Sequence, residues 1–305
     1  LTLRTACCSF LPIGLAILIV GFRDLTVAEP PANLEVKTMQ FMAADLTTAL
    51  QMDVYSKVLP EESADPALER PLFLFLHGGG FYAGSRNHPL NVEFCEQLAG
   101  YGIDVASIDY RLLQKDQGFH CEISIAAKRA AIEAAAEDLT QALSVLRPNY
   151  PSGIFVGGSS AGAHAALYAA YHLKSFDATG VISMCGAMEP VEKAANTPLL
   201  AFHGTCDALV PYGEAIHHHC RRDAPGALLL HGGGAAAECL PNAQLHAYLN
   251  AGHGLTNVLL GDTDCSKTCA QFIQDCLDSK DIRGKTVYAS NQECTLPSPF
   301  LPCQP

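Results

Sequence analysis

The chain has 305 residues, of which 49% are hydrophobic and 16% charged, which excludes a disordered polypeptide and provides enough apolar material for one large core. Its 19 basic and 31 acidic side chains leave a net charge of −12. A surface of that sign repels phosphate backbones and anionic lipid, so nucleic-acid binding is excluded as a function class.

Residues 6–22 carry no charge, Arg4 precedes them, and Thr26-Val27-Ala28 follows with a small residue at its end. A basic start, an apolar middle and a small-residue end predict a secretory signal peptide over residues 1–28, cleaved near Ala28. An uncleaved membrane anchor is the alternative, since the apolar stretch approaches a minimal span. Either way residues 29–305 would lie outside the cytosol as one domain.

Further along the chain, Leu50 to Tyr55 alternates apolar and polar residues as a half-buried strand does. Pro60 to Pro71 is charged and Pro-bounded, a surface loop. Leu72-Phe73-Leu74-Phe75-Leu76 is a continuous apolar run stopped by glycines, the pattern of a buried parallel strand, and Ile103 to Ile108 is a second. An Ala-rich helix is predicted from Ile125 to Leu146, ended by Arg147-Pro148. Ile154-Phe155-Val156 forms a short strand and Ala161 to His172 an Ala-rich helix. Val181 to Met184, Leu199 to Phe202 and Gln244 to Leu249 complete the strands, the last being read as the final one. This alternation predicts an α/β fold: a mostly parallel central sheet with helices on both faces. Only about a dozen residues separate the strands at Val181 and Leu199, too few for a large helical lid.

Thirteen cysteines are present, eleven of them beyond residue 28, and export makes disulfides the expectation. Cys95 with Cys121 is one candidate bridge. Cys265, Cys269 and Cys276 fall on one helical stripe, expected to staple a helix to the tail at Cys294 and Cys303. The odd count leaves a free thiol, with Cys185 in an apolar strand as the candidate.

Gly158-Ser159-Ser160-Ala161-Gly162 sits between a short apolar strand and an Ala-rich helix. A strand-to-helix turn this sharp strains its central residue and exposes the Ser160 hydroxyl where the helix N-terminus favours negative charge. Ser160 is therefore the candidate nucleophile, ahead of Ser159. His77-Gly78-Gly79-Gly80 follows the strongest apolar strand, and its glycines leave backbone N–H groups free to face a developing oxyanion. Gly79 and Gly80 are the candidate donors, with Ala161 after the nucleophile. The same tetrapeptide recurs at His231 to Gly234. Chain order favours the first copy, because the oxyanion strand precedes the nucleophile; the second is read as a turn leading into a helix.

A serine nucleophile needs a base, and the base an orienting carboxylate. Asp207 lies just past the strand ending at Phe202, and His253 just past the one ending at Leu249. The order Ser160, Asp207, His253 is that of the α/β-hydrolase triad; Glu214 and Asp223 are rival acids. His217-His218-His219-Cys220 is read as a solvated helix and not a metal site, since consecutive helical residues point about 100° apart. No motif implies a metal or a cofactor.

Together these motifs resemble the α/β-hydrolase superfamily, particularly secreted carboxylesterases related to the hormone-sensitive-lipase group. The resemblance runs from about Val36 to His253. It rests on His77 to Phe81 with Gly84-Ser85, Asp109-Tyr110-Arg111-Leu112, Gly157 to Gly162, His203-Gly204-Thr205 with Asp207 and Val210-Pro211, and Gly252-His253. It implies a Ser160–Asp207–His253 triad, oxyanion donors at Gly79, Gly80 and Ala161, and a small-molecule ester as substrate. The chain departs from the group at Leu113-Gln114, where Ala-Pro is common, and at Ser159, where Asp or Glu is usual. Amide or peptide hydrolysis by the same triad is the second reading, and a non-catalytic binding module on the same fold the third.

Overall fold

Apolar runs and amphipathic helices fold into three layers, seen in a computed structural model that describes residues 33–58, 70–150, 153–191, 195–289 and 293–303. The expected signal peptide and most of the loop expected at Pro60 to Pro71 lie outside the described residues. The strands, in chain order, are β1 (Leu34–Met42), β2 (Ala49–Lys57), β3 (Leu72–Leu76), β4 (Asp104–Ile108), β5 (Ile154–Ser159) and β6 (Gly180–Met184). There follow β7 (Ala187–Met188), β8 (Leu199–Gly204), β9 (Glu214–Ile216), β10 (Leu229–Gly232), β11 (Ala243–Tyr248) and β12 (Gly284–Tyr288). The helices are α1 (Pro89–Gly100), α2 (Ile125–Leu146), α3 (Ala161–Tyr168), α4 (Gly233–Cys239), α5 (Leu255–Leu260) and α6 (Thr263–Leu277).

Nine strands form the central sheet in the order β1-β2-β4-β3-β5-β6-β8-β11-β12. The pairs β1/β2 and β2/β4 are antiparallel and all others parallel, which is the expected mostly parallel sheet. A second, three-stranded antiparallel sheet joins β7, β10 and β9. All five side chains of β3 are buried, because helices cover both faces of the sheet at its centre. Its leucines pack in the cluster that holds Ala135 and Leu139 of α2 and Ala165 of α3. Phe73 and Phe75 point the other way, onto Phe94 of α1, with Phe272 of α6 in the same cluster.

Helix α2 begins where the Ser124 hydroxyl accepts the Ala127 N–H, and buries a stripe at Ala131, Ala135, Leu139, Ala142 and Leu146. It gives way to a single 3₁₀ turn at Arg147–Asn149, where Pro148 has no N–H to continue the ladder. Helix α3 ends at Tyr168 and widens into a π turn to Leu173, short of a regular helix to His172. The strand at Gln244 is not the last. β12 pairs parallel to it, and its side chains are all exposed, so no burial alternation marks it in the sequence. Across the β6-to-β8 connection the described residues hold β7 and no helix.

Three disulfides join Cys121 to Cys220, Cys206 to Cys294 and Cys239 to Cys303. The expected Cys95–Cys121 bridge is therefore corrected: Cys95 faces inward from α1 and is buried beside Phe94. The Cys265, Cys269 and Cys276 stripe lies on a helix as expected, but those thiols are free. That stripe faces the sheet, where Cys265 and Cys269 pack as small apolar groups, so it cannot reach the tail. The tail is instead held by the loop after β8 and the end of α4. Cys185 is free and buried.

Arg111 anchors the strand-β4 side of the molecule. Its Nε donates to both carboxylate oxygens of the fully buried Asp138 at 2.9 Å, and Asp138 also accepts the N–H groups of Ala44 and Arg111. Replacing Asp138 by Ala removes the main partner of a mostly buried guanidinium and leaves two amides unpaired. The expected cost is about 3 kcal/mol, the low end for a broken buried pair, because Glu137 at 3.2 Å still faces Arg111. Urea unfolding of the two proteins measures it; a difference below about 1 kcal/mol contradicts the anchoring role.

Candidate active site

The turn from β5 into α3 carries Ser160 at φ 51° and ψ −118°, a conformation that costs a non-glycine residue about 1–3 kcal/mol. Its surroundings hold it there. The Ser160 N–H donates to the Met184 carbonyl at 2.8 Å, and the Ser160 carbonyl accepts from His164 N–H at 3.0 Å. The flanking glycines are required by close approach: a Cβ on Gly158 or Gly162 would lie 2.4 or 2.1 Å from the Leu76 carbonyl oxygen. The end of β3 thus packs directly on the turn.

His253 follows β11, and Asp207 follows the adjacent parallel strand β8, so both arrive at the same carboxyl edge of the sheet as Ser160. The structure brings all three together. Ser160 Oγ lies 2.8 Å from His253 Nε2, and His253 Nδ1 lies 2.7 Å from Asp207 Oδ2. A carboxylate can only accept, so the imidazole hydrogen sits on Nδ1 and the bare Nε2 faces the serine hydroxyl. Asp207 is buried, and its Oδ1 accepts the N–H groups of Leu209 and Val210 at 2.9 Å each. Burial alone would raise its pKa; the hydrogen bond from His253 and the nearby His203 ring outweigh it and hold the carboxyl well below its ordinary value. His203 Nε2 stands 3.6 Å from Oδ2. Its Nδ1 accepts the Gly233 N–H, which leaves the hydrogen on Nε2 facing Asp207 and the Val210 carbonyl.

The first HGGG segment lies across the turn at Ser160. Gly79 and Gly80 have φ of 115° and 63°, and a Cβ on Gly79 would lie 2.1 Å from the Ala83 carbonyl oxygen. Residues of the Asp109-Tyr110-Arg111 run hold this loop. Tyr110 donates its hydroxyl to the His77 carbonyl at 2.8 Å, and Asp109 accepts from Arg86 N–H and its guanidinium. No acceptor for the N–H groups of Gly79, Gly80 or Ala161 stands among the described residues. In the second copy, β10 ends at Gly232 and α4 begins at Gly233, a strand leading into a helix. There the three glycine N–H groups are already taken, by the Gly213 carbonyl, His203 Nδ1 and the Tyr212 carbonyl.

A cavity of about 480 Å³ opens over Ser160, lined on one wall by Gly79, Gly80, Ala161 and His253. Phe119, His164, His217 and His218 also line it, and among the described residues no acidic, Lys or Arg side chain does. His217 to Cys220 is therefore not a solvated helix. Residues 217–219 make one tight turn with His218 and His219 at positive φ; His217 is buried against Phe119, and Cys220 is tied to Cys121. Burial holds the His218 pKa down at about 4 and that of His217 well below normal. Glu214 pairs with His231, and Asp223 is exposed beside Arg221. Sequence reasoning missed His164 and His217 as cavity residues. The one available signal was the position of His164, one helical turn after Ser160 in a run of alanines. Among the described residues no group of three or more His, Cys, Asp or Glu could hold a metal ion. Nor is any helix among them long and apolar enough to cross a membrane.

Residues 73–207 match a family model described as alpha/beta hydrolase fold. Three solved structures are similar. A bacterial heroin esterase shares 16% identity, with 83% of this chain and 86% of that one aligned at a TM-score of 0.55. The esterase Est22 shares 14%, with 81% and 82% aligned at 0.54. Thermogutta terrifontis esterase 2 shares 20%, with 83% and 96% aligned at 0.53, and that enzyme has also been solved phosphonylated by cyclosarin.

Proposed function

From the premise that the chain has the α/β-hydrolase fold, we propose that it is a serine hydrolase of carboxylic esters. The observation that carries this reading is the unbroken hydrogen-bonded chain Ser160–His253–Asp207 at the floor of a cavity with uncommitted N–H groups. Ser160 Oγ attacks the ester carbonyl carbon while His253 Nε2 takes its proton. The carbonyl oxygen becomes negative and is received by the N–H groups of Gly79, Gly80 and Ala161 at the head of α3. His253 then returns the proton to the departing alcohol, and a water, activated in the same way, releases the acid from Ser160. Asp207, kept ionised, holds the imidazole tautomer throughout.

Hydrolysis of p-nitrophenyl butyrate by the protein, with covalent labelling of Ser160 by a fluorophosphonate, tests the proposal. Labelling at Ser159, or no turnover of any short-chain ester, removes it. The three disulfides support export into an oxidising compartment, as the amino-terminal pattern suggests.

The two HGGG copies supply a sharper test of the oxyanion assignment. Gly80→Val puts a branched side chain at φ 63°, where even a Cβ meets the Tyr82 ring at 2.5 Å. Displacing one donor is expected to lower kcat by about 10²–10³ while KM changes less. Gly234→Val, which meets the Tyr212 ring, should cost stability and leave kcat within a few-fold. Steady-state kinetics on both folded variants decide it; the reverse pattern overturns the assignment.

A further inference from the structure

Two buried histidines lining the cavity each leave one ring nitrogen without a partner among the described residues. His164 Nδ1 is hydrogen-bonded to the Ala187 carbonyl, and a carbonyl only accepts, so the hydrogen sits on Nδ1 and Nε2 is a bare acceptor. That Nε2 is buried and has no partner among the described residues. Burial holds the ring's pKa at about 3, so it is neutral near pH 7 and cannot become a second donor there. His217 has the opposite polarity. The Lys128 ammonium, which only donates, lies 3.4 Å from its Nδ1 while also donating to the Gly226 carbonyl at 2.8 Å. Nδ1 therefore accepts, and the hydrogen of His217 sits on Nε2, for which no acceptor stands among the described residues.

The two rings stand edge to face with centroids 5.8 Å apart, and both line the cavity over Ser160. One acceptor and one donor on neighbouring rings match a single group that both donates and accepts. A hydroxyl does this from one oxygen. A carboxylate would set lone pairs against His164 Nε2, and an ammonium would set N–H against N–H at His217. The Cys121–Cys220 disulfide ties the segment of Phe119 to that of His217, so this wall is held in place by a covalent link.

We propose that His164 and His217 form a subsite for an aliphatic hydroxyl of the substrate, so that the preferred esters are hydroxylated. The proposal rests on the ester-hydrolase reading and names its substrate class.

The experiment compares kcat/KM by pH-stat for two matched pairs: 1-monobutyrin with propyl butyrate, and methyl 3-hydroxybutyrate with methyl butyrate. The wild-type protein is expected to favour the hydroxylated member of one pair by at least about tenfold, and which pair does so places the subsite on the alcohol or the acyl side. In His217→Phe and in His164→Gln that ratio should collapse towards one. A wild-type ratio near one in both pairs overturns the subsite while leaving ester hydrolysis intact. A ratio that survives in whichever variant folds also overturns it. Failure of the wild-type protein to cleave any of the four esters sinks the hydrolase reading itself, and the subsite with it.

Discussion

Ser160→Ala is expected to lower kcat by about 10⁶, with KM for a short ester nearly unchanged and the fold intact. The loss is large because, among the described residues, the hydroxyl is the one group that His253 Nε2 meets at hydrogen-bond distance, 2.8 Å. Removing it leaves the N–H groups and the cavity to act on water alone. The fold survives because what holds the turn is backbone: the Ser160 N–H to Met184, the His164 N–H to the Ser160 carbonyl, and the contacts of Gly158 and Gly162 with Leu76. Alanine inherits the same φ of 51°, so the thermal midpoint should move little. Turnover of p-nitrophenyl butyrate by the variant, purified free of wild-type protein, checks this. Activity above about 1% of wild type would mean that another residue is the nucleophile.

Asp207→Asn is expected to lower kcat by about 10⁴. The hydrogen bonds at this carboxylate determine which way an amide must sit. Oδ1 accepts two N–H groups, from Leu209 and Val210, so the amide oxygen is held there and the NH₂ is forced to the Oδ2 position. That NH₂ faces His253 Nδ1 at a site now 2.7 Å away. Nδ1 must then accept, the imidazole hydrogen moves to Nε2, and the ring can no longer take the proton of Ser160. The measurement is kcat at pH 7 with circular dichroism as the control for folding. A folded variant within tenfold of wild type would show that Asp207 does not set the tautomer.

Much of the architecture was legible because the signals were local. The five apolar residues of β3 and the alanine stripe of α2 each declare their burial by period, and the structure gives both elements the expected bounds. Ser160, Asp207 and His253 were legible for the same reason: each directly follows an apolar strand, and the carboxyl ends of parallel strands converge on one edge. β12 escaped because its side chains are exposed on both faces. The His217 turn escaped because three successive histidines read as solvated when nothing local shows that His218 and His219 take positive φ.

The sequence by itself determined the sheet-and-helix order, the placing of Ser160, Asp207 and His253 each after a strand, and the first HGGG as the copy near Ser160. Only the tertiary structure decided how the cysteines pair, which glycine N–H groups stay free, and that Lys128 and Ala187 set opposite tautomers on His217 and His164. The physical reason is distance along the chain. Periodicity reports which face of one element is buried, whereas Cys121 and Cys220 are 99 residues apart, and Lys128 and His217 89. Their meeting depends on where separate loops end once the sheet has closed, and no local pattern encodes it.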